Sequence, residues 1–279
     1  MSGKLVLGLG LGFAGVGDTE QLETYARAGW EGTFTGFNHV KGNFELAKKI
    51  RDNGLYYQSI HADFVRCDRM WEEGIMGDWE MENQIRCVRH AATVGVDLVV
   101  MHAIIGFNKH EPNQIGIDRF GQVFEQAKKV GVKVALENTE GQEYLDALLD
   151  AYKNDDTVRF CIDTGHEMCY NESRDLIGKF ADKLQCTHLN DNMKITGDII
   201  TWKDDAHMVP FDGLGDWEGI ARRLKKAGYN GDLTFELTRN SQPERNTHAI
   251  YSHYTHEEFV KLCYDRAVKF KELYDSVKA

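Results

Sequence analysis

Short runs of β-branched and other apolar residues alternate along the whole chain with longer stretches in which apolar residues recur every three or four positions. Such alternation predicts parallel β/α units. Strands are expected at 5–9, 32–37, 56–60, 97–101, 132–136, 158–162, 184–187 and 233–235. The first helix should open at Asp18 and carry Leu22, Tyr25 and Ala26 on one face, and the second should open at Asn43 with Leu46, Ala47 and Ile50 turned inward. Further helices are expected at 79–94, 117–130, 142–152 and 173–181, then one capped by Asp216 and stopped by Gly228, and a last one at 256–277. With no internal linker, the pattern predicts one α/β domain, a (β/α)₈ TIM barrel spanning 1–279 with its active site at the C-terminal mouth of the strands.

Polar residues fall where that mouth should be. His61, His102, Glu137, Asp163, His188 and Glu236 follow strands three to eight in turn. Any one of them reads alone as a loop residue or a helix cap, so the weight lies in the repetition from strand to strand. Converging ionisable groups are costly to desolvate unless a cation holds the carboxylates. Glu137, Asp163, His188 and Glu236 offer three oxygens and one nitrogen, a set suited to one divalent ion, Mn²⁺ first, with Mg²⁺, Co²⁺ or Zn²⁺ feasible. His166 lies one turn beyond Asp163 in Asp163-Thr164-Gly165-His166. Two long connections, one through Trp71 and Trp79 and one through Trp202, Asp205 and His207, are placed to shape a pocket.

Composition narrows the partners. A formal net charge of −11 over 279 residues disfavours a surface built to bind nucleic-acid phosphates. Six cysteines without a Cys-x-x-Cys pair, two of them (Cys161 and Cys186) inside strands, read as core thiols of a reduced compartment. The N-terminal stretch has neither the length nor the flanks of a signal peptide or membrane span, and a cytoplasmic protein is expected. Trp71, Trp202 and Phe107 read as hydrophobes covering loops, with stacking on a sugar as the alternative. Lys128-Lys129 and the basic run at 222–226 read as solvated helix faces.

The motifs Leu-Glu-Asn-Thr (136–139), Cys-Ile-Asp-Thr-Gly-His (161–166), Thr-His-Leu-Asn-Asp-Asn (187–192), Asp-Ala-His-Met-Val-Pro-Phe-Asp-Gly (205–213) and Gly-Tyr-Asn-Gly-Asp-Leu-Thr-Phe-Glu-Leu (228–237) resemble the xylose isomerase-like barrel superfamily. That superfamily contains sugar phosphate isomerases and epimerases, ketose 3-epimerases, inosose dehydratase and endonuclease IV. The resemblance implies a metal-dependent isomerase or epimerase of a sugar or sugar derivative, working by proton transfer through a metal-stabilised enediolate. It implies Glu137, Asp163, His188 and Glu236 as metal ligands and Glu137 and Glu236 as the proton-transferring pair. His61, His102, His166, Asp205, His207 and Arg239 would touch substrate or orient ligands. Where ketose 3-epimerases often carry an arginine after the second histidine, this chain has Met-Val-Pro-Phe-Asp-Gly, leaving Arg239, His253 or Lys109 to hold any carboxylate or phosphate. An inosose-type dehydratase on the same site is a second reading. An abasic-site nuclease is a third, in which His61, His102, Glu137, Asp163, His166, His188, Asp205, His207 and Glu236 ligate three metals. A non-catalytic sugar-binding barrel is a fourth. By analogy with the family, a homodimer or homotetramer with no membrane or nucleic-acid partner is expected.

Overall fold

The computed structural model describes residues 3–108 and 111–278, so Lys109 lies outside the described residues. Eight parallel strands run β1 (Leu5–Gly8), β2 (Gly32–Gly36), β3 (Tyr56–His61), β4 (Leu98–His102), β5 (Lys133–Glu137), β6 (Val158–Asp163), β7 (Leu184–His188) and β8 (Leu233–Phe235). Each pairs with its sequence neighbour and β1 pairs with β8. The ring closes between β7 and β8 just past the end of β7, where Leu189 bridges Phe235. The expected TIM barrel is therefore present.

The helices are α1 (Asp18–Ala28), α2 (Phe44–Asp52), α3 (Ile75–Thr93), α4 (Gln114–Val130), α5 (Gln142–Ala151), α6 (Thr164–Cys169), α7 (Leu176–Lys179), α8 (Trp217–Lys226) and α9 (His256–Ser276). Most expected boundaries hold within a few residues. Asp216 caps α8 by accepting from the Gly219 amide, and Gly228 follows with φ +70°. Thr255 opens α9 with a reciprocal capping box to Glu258.

The departures have local causes. Asp18 is not the cap of α1; Gly17 holds that position and Asp18 begins the first turn. Asn43 does sit at the N-cap of α2, but its side chain turns into the barrel wall, donating to Thr35 Oγ1, the Gly36 carbonyl and Tyr57 Oη. No helix spans 173–181. The Asp163 side chain accepts from the His166 amide, so α6 starts directly from the strand, and Glu172 and Ser173, both at positive φ, break the chain before the one-turn α7.

Period-two alternation positions the mouth. On β4 to β7 the inward residues Leu98, Val100, Ala135, Cys161 and Cys186 form a small apolar plug inside the barrel, separate from the larger core under the helices. Two residues beyond Val100, Ala135, Cys161 and Cys186 stand His102, Glu137, Asp163 and His188, hence on the same inner face, one layer higher.

The two long connections are tied down. Arg119 on α4 reaches the carbonyls of Arg69, Met70, Glu72 and Gly74 and the Asp78 carboxylate, gathering the β3–α3 connection around one buried guanidinium. Trp71 is core, its indole donating to the Ala103 carbonyl. In the β7–α8 connection, buried Asp191 accepts from the amides of Gly213 and Gly215 and from Trp217 Nε1. Lys128 and Lys129 are exposed as expected, but Arg223 is not simply solvated, because it holds buried Glu167 through both guanidinium nitrogens.

Candidate metal centre at the barrel mouth

Glu137, Asp163, His188 and Glu236 converge so that one ligand atom from each lies within 4.8 Å of the others. Glu137, Asp163 and His188 are buried, whereas the Glu236 side chain keeps 30% of its surface. His188 Nδ1 stands 2.9 Å from Glu236 Oε2 and 3.3 Å from Glu137 Oε2, yet neither of its ring nitrogens makes an aligned hydrogen bond, and Glu137 Oε1 also has none. Buried polar atoms are ordinarily satisfied. The His188 nitrogens and Glu137 Oε1, packed among carboxylates yet without hydrogen bonds, fit a cation that accepts their lone pairs. The surroundings hold the set in place: Phe34 stacks on His188 at 4.7 Å, and Asn190 Nδ2 donates to Asp163 Oδ2 at 2.7 Å. A Cβ on Gly165 would stand 1.9 Å from the Asn190 amide oxygen, so only glycine admits this support.

The other histidines repeat one arrangement. His61, His166 and His207 each place Nδ1 on a backbone carbonyl, of Ala62, Asn138 and Glu236 respectively. With Nδ1 donating, the neutral ring leaves Nε2 bare. Each bare Nε2 faces a carboxylate oxygen, Glu137 Oε2 at 3.1 Å for His61 and Asp205 Oδ2 at 3.2 and 3.0 Å for His166 and His207. A lone pair opposed to a carboxylate needs either a proton or a shared cation, and an anchored Nδ1 with a free Nε2 is how metal-binding histidines are usually oriented. Two further groupings with ligand atoms within 4.8 Å follow, His61–His102–Glu137 and Asp163–His166–His207. They join the central four through Glu137 and Asp163. The Cys161 thiol also lies near Glu137 and His188, but burial pushes its ionisation well up, so it is a poor anionic ligand.

With protons alone to balance the charges, the electrostatics are lopsided. Burial works against ionised Glu137, but the imidazoles of His188, His102 and His166 hold its carboxyl well below the usual range. Burial likewise opposes charge on Glu236, which His188 and His207 nonetheless bring down to about 2. Asp163 is raised to about 6, first by burial and then by Glu137 and Asp205, against the pull of His166 and His207. Burial would lower His188, His166 and His207, yet the carboxylates raise all three, His207 to about 10. Imidazoliums thus stand in for positive charge at this mouth.

Eight of the nine expected ligands fall into these three groupings, and Asp205 touches two of their members. Arg239 is not among them: its guanidinium lies on the Phe13 ring and donates to the Ser252 carbonyl. His253 packs on Tyr254. Trp202, half exposed, and Tyr170 wall a cavity of about 170 Å³ above the cluster, while Phe107 packs against Tyr170. Sequence reasoning missed Phe34, Phe64 (stacked on His102 at 4.5 Å), Asn138 and Asn190. The two asparagines had a visible signal, since Asn138 lies one residue beyond Glu137 and Asn190 two beyond His188 inside recognised motifs; the two phenylalanines had none.

A model of the xylose isomerase-like TIM barrel family matches residues 12–253. An uncharacterized protein, y4fM, of Sinorhizobium fredii is 28% identical over 214 residues, 68% of this chain and 65% of that protein, so the chain spans just under two thirds of the relative's length. Among solved structures, the D-allulose 3-epimerase of a Methylomonas species in complex with D-allulose superposes with a TM-score of 0.72 at 14% identity, covering 97% of this chain and 96% of that one. The IOLI protein with a binding zinc atom gives 0.73 at 18% identity, covering 98% and 100%. At such identities the likeness speaks for the fold. Among the described residues no helix is long and apolar enough to cross a membrane.

Proposed function

The chain belongs to the xylose isomerase-like TIM barrel family, and from that premise we propose that it is a divalent-metal-dependent isomerase or epimerase of a sugar or sugar derivative. The observation that carries the reading is the convergence of Glu137, Asp163, His188 and Glu236 with His188 left without hydrogen bonds. These four hold one ion, Mn²⁺ foremost; a bound divalent ion polarises a carbonyl and its neighbouring hydroxyl and so acidifies the adjacent C–H. Glu236, the most open of the four carboxylates and histidines, removes or returns the proton at its Oε atoms, and Glu137 serves the other face. Burial of the cluster keeps bulk water from competing for that proton. Phe34 and Asn190 hold His188 and Asp163 in register. The sugar-acting epimerase among the structural neighbours supports the substrate class. We further propose one barrel domain, a homo-oligomer, and a reducing cytoplasm in keeping with six buried free thiols.

The test is solvent exchange. The Mn²⁺-loaded protein, incubated with a panel of sugars in D₂O, should place deuterium at the reacting carbon of at least one without loss of water. Glu236→Gln and Glu137→Gln should each reduce exchange by at least 10³-fold while remaining folded. Full exchange in both variants refutes the assignment, and release of water with the label transfers it to a dehydratase.

A second reading, an abasic-site nuclease, is favoured by one observation: the three groupings bridged by Glu137 and Asp163. Metal analysis separates the two. A stoichiometry near one supports the sugar enzyme; two or three ions together with nicking of an abasic duplex support the nuclease.

A further inference from the structure

Three cavities follow one another along the mouth. The 170 Å³ chamber over the cluster shares His61, Phe64, His207 and Glu236 with a cavity of about 570 Å³ that runs across the Phe34 ring toward β1 and β2. That cavity in turn shares Leu9, Gly10, Gly36, Phe37 and His39 with one of about 880 Å³ between the β1–α1 and β2–α2 connections. Cavities of roughly 300–1,000 Å³ hold drug-sized ligands, so the outer two together exceed what one sugar ring needs.

The junction is kept open. Gly10 and Gly36 line both outer cavities, and a Cβ at either would meet nothing within 4 Å. Gly36 does not need glycine for its backbone, having no positive φ, so its missing side chain leaves free space and relieves no strain. Among the described residues no lysine or arginine lines the inner two cavities, where Glu137, Glu140, Asp205, Glu236 and Asp63 supply carboxylates instead. An anionic group there would face repulsion. The outer cavity is mixed: Lys41 and Lys49 are balanced by Asp18 and Glu45, and beside them Phe44 presents an exposed ring, held edge-on against His90. An aromatic ring flanked by Asn38, His39 and charges of both signs suits a polyhydroxylated ring, which stacks its C–H face and hydrogen-bonds its rim.

We propose that the substrate is a glycoside-sized sugar, whose reacting unit lies over the metal cluster and whose uncharged glycosyl substituent passes Gly36 into the cavity walled by Phe37 and Phe44. This rests on the sugar reading above and adds the second subsite.

Calorimetry on the Mn²⁺-loaded full chain with D-fructose and with the disaccharide ketoses isomaltulose and lactulose tests it. At least one disaccharide should bind tenfold or more tightly than D-fructose. Gly36→Leu, which closes the junction, and Phe44→Ala, a surface change that leaves the core intact, should each bring the disaccharide-to-monosaccharide ratio of affinities toward one. Monosaccharide binding equal to or tighter than both disaccharides overturns the second subsite and leaves the sugar reading standing, as does a ratio unmoved by either variant. Binding of none of the three sugars overturns both.

Discussion

Adding a divalent cation should raise the melting temperature of the metal-free protein, and the size of the rise can be worked out. The ion meets four donor atoms within 4.8 Å of one another, and His188 and Glu137 Oε1 bring lone pairs that no hydrogen bond has to give up. At a hundredfold excess over the dissociation constant, a ligand specific to the folded state stabilises by about 2.7 kcal/mol. For a chain of this length that corresponds to a rise of about 5–8 °C. The pH dependence follows from Asp163, raised to about 6 without a metal. A bound ion needs the carboxylate, so the share of the increment that depends on Asp163 is present above pH 7 and shrinks as pH falls through 6. At pH 5 proton competition costs about tenfold in affinity, or about 1.4 kcal/mol, removing roughly 3–4 °C of the rise. His188, raised well above its ordinary value by Glu137 and Glu236 despite burial, must also shed its proton, which steepens the loss. Linkage gives Asp163 the opposite sign in the metal-free protein: a folded value above the unfolded one binds extra protons, so its own contribution to stability grows as pH drops through 6. Scanning calorimetry of the chelator-treated protein, with and without Mn²⁺, Co²⁺ and Zn²⁺ at pH 7.5 and 5, reads both trends. A transition that no cation shifts, or a response of Glu137→Gln and Asp163→Asn equal to that of the natural protein, would refute a metal site at these residues.

Two other outcomes follow from the buried ties behind the mouth. Asp191→Asn keeps one accepting oxygen and sets an NH₂ against two donors, those of Gly213 and Trp217 on one side or of Gly215 and Asn192 on the other, and should cost about 3–5 kcal/mol in urea unfolding, since buried bonds to a charged acceptor are worth about 1.5–3 kcal/mol each; an unchanged midpoint would show that the loop does not depend on it. Arg119→Met should leave four carbonyls of the β3–α3 connection without their donor and expose residues 66–74 to limited proteolysis at least tenfold faster, with resistance equal to the natural protein counting against the clamp.

What the sequence made legible, and what it left hidden, has a physical pattern. Strand-end residues could be read because a strand's period is two: once Ala135, Cys161 and Cys186 are taken as inward, Glu137, Asp163 and His188 must follow them inward. Short-range signals also survived, such as Asp216 at the start of α8. The expected helix at 173–181 failed because Asp163 serves two purposes, facing the cluster and capping α6, so a helix starts directly after the strand at Thr164, and positive-φ Glu172 and Ser173 interrupt the chain where it was expected. The placement of Arg239 was hidden for a different reason: nothing in the chain near it announces the Phe13 ring, more than two hundred residues away, on which its guanidinium lies. Contacts of that kind, like Phe34 under His188, exist only once the barrel closes.

Closure also changes what Glu137 is. In the sequence it is one strand-end carboxylate among several; in the barrel it is the point where imidazoles from β3, β4, α6 and β7 meet, with His61, His188, His166 and His102 at 3.1, 3.3, 3.4 and 3.6 Å. Four imidazoles around one carboxylate is more than a single ion pair requires, and three of them, His61, His102 and His188, crowd Oε2 while His166 alone lies by Oε1. With one cation, Glu137, Asp163, His188 and Glu236 would hold it, while His61 and His102, both beside Glu137 Oε2, would steady the plane of that carboxylate. With three cations, Glu137 and Asp163, which the groupings share, would both be taken up as ligands, and Glu137 would not be free to carry a proton. The number of ions bound therefore decides whether Glu137 is a base or a bridge, and with it which chemistry this mouth performs.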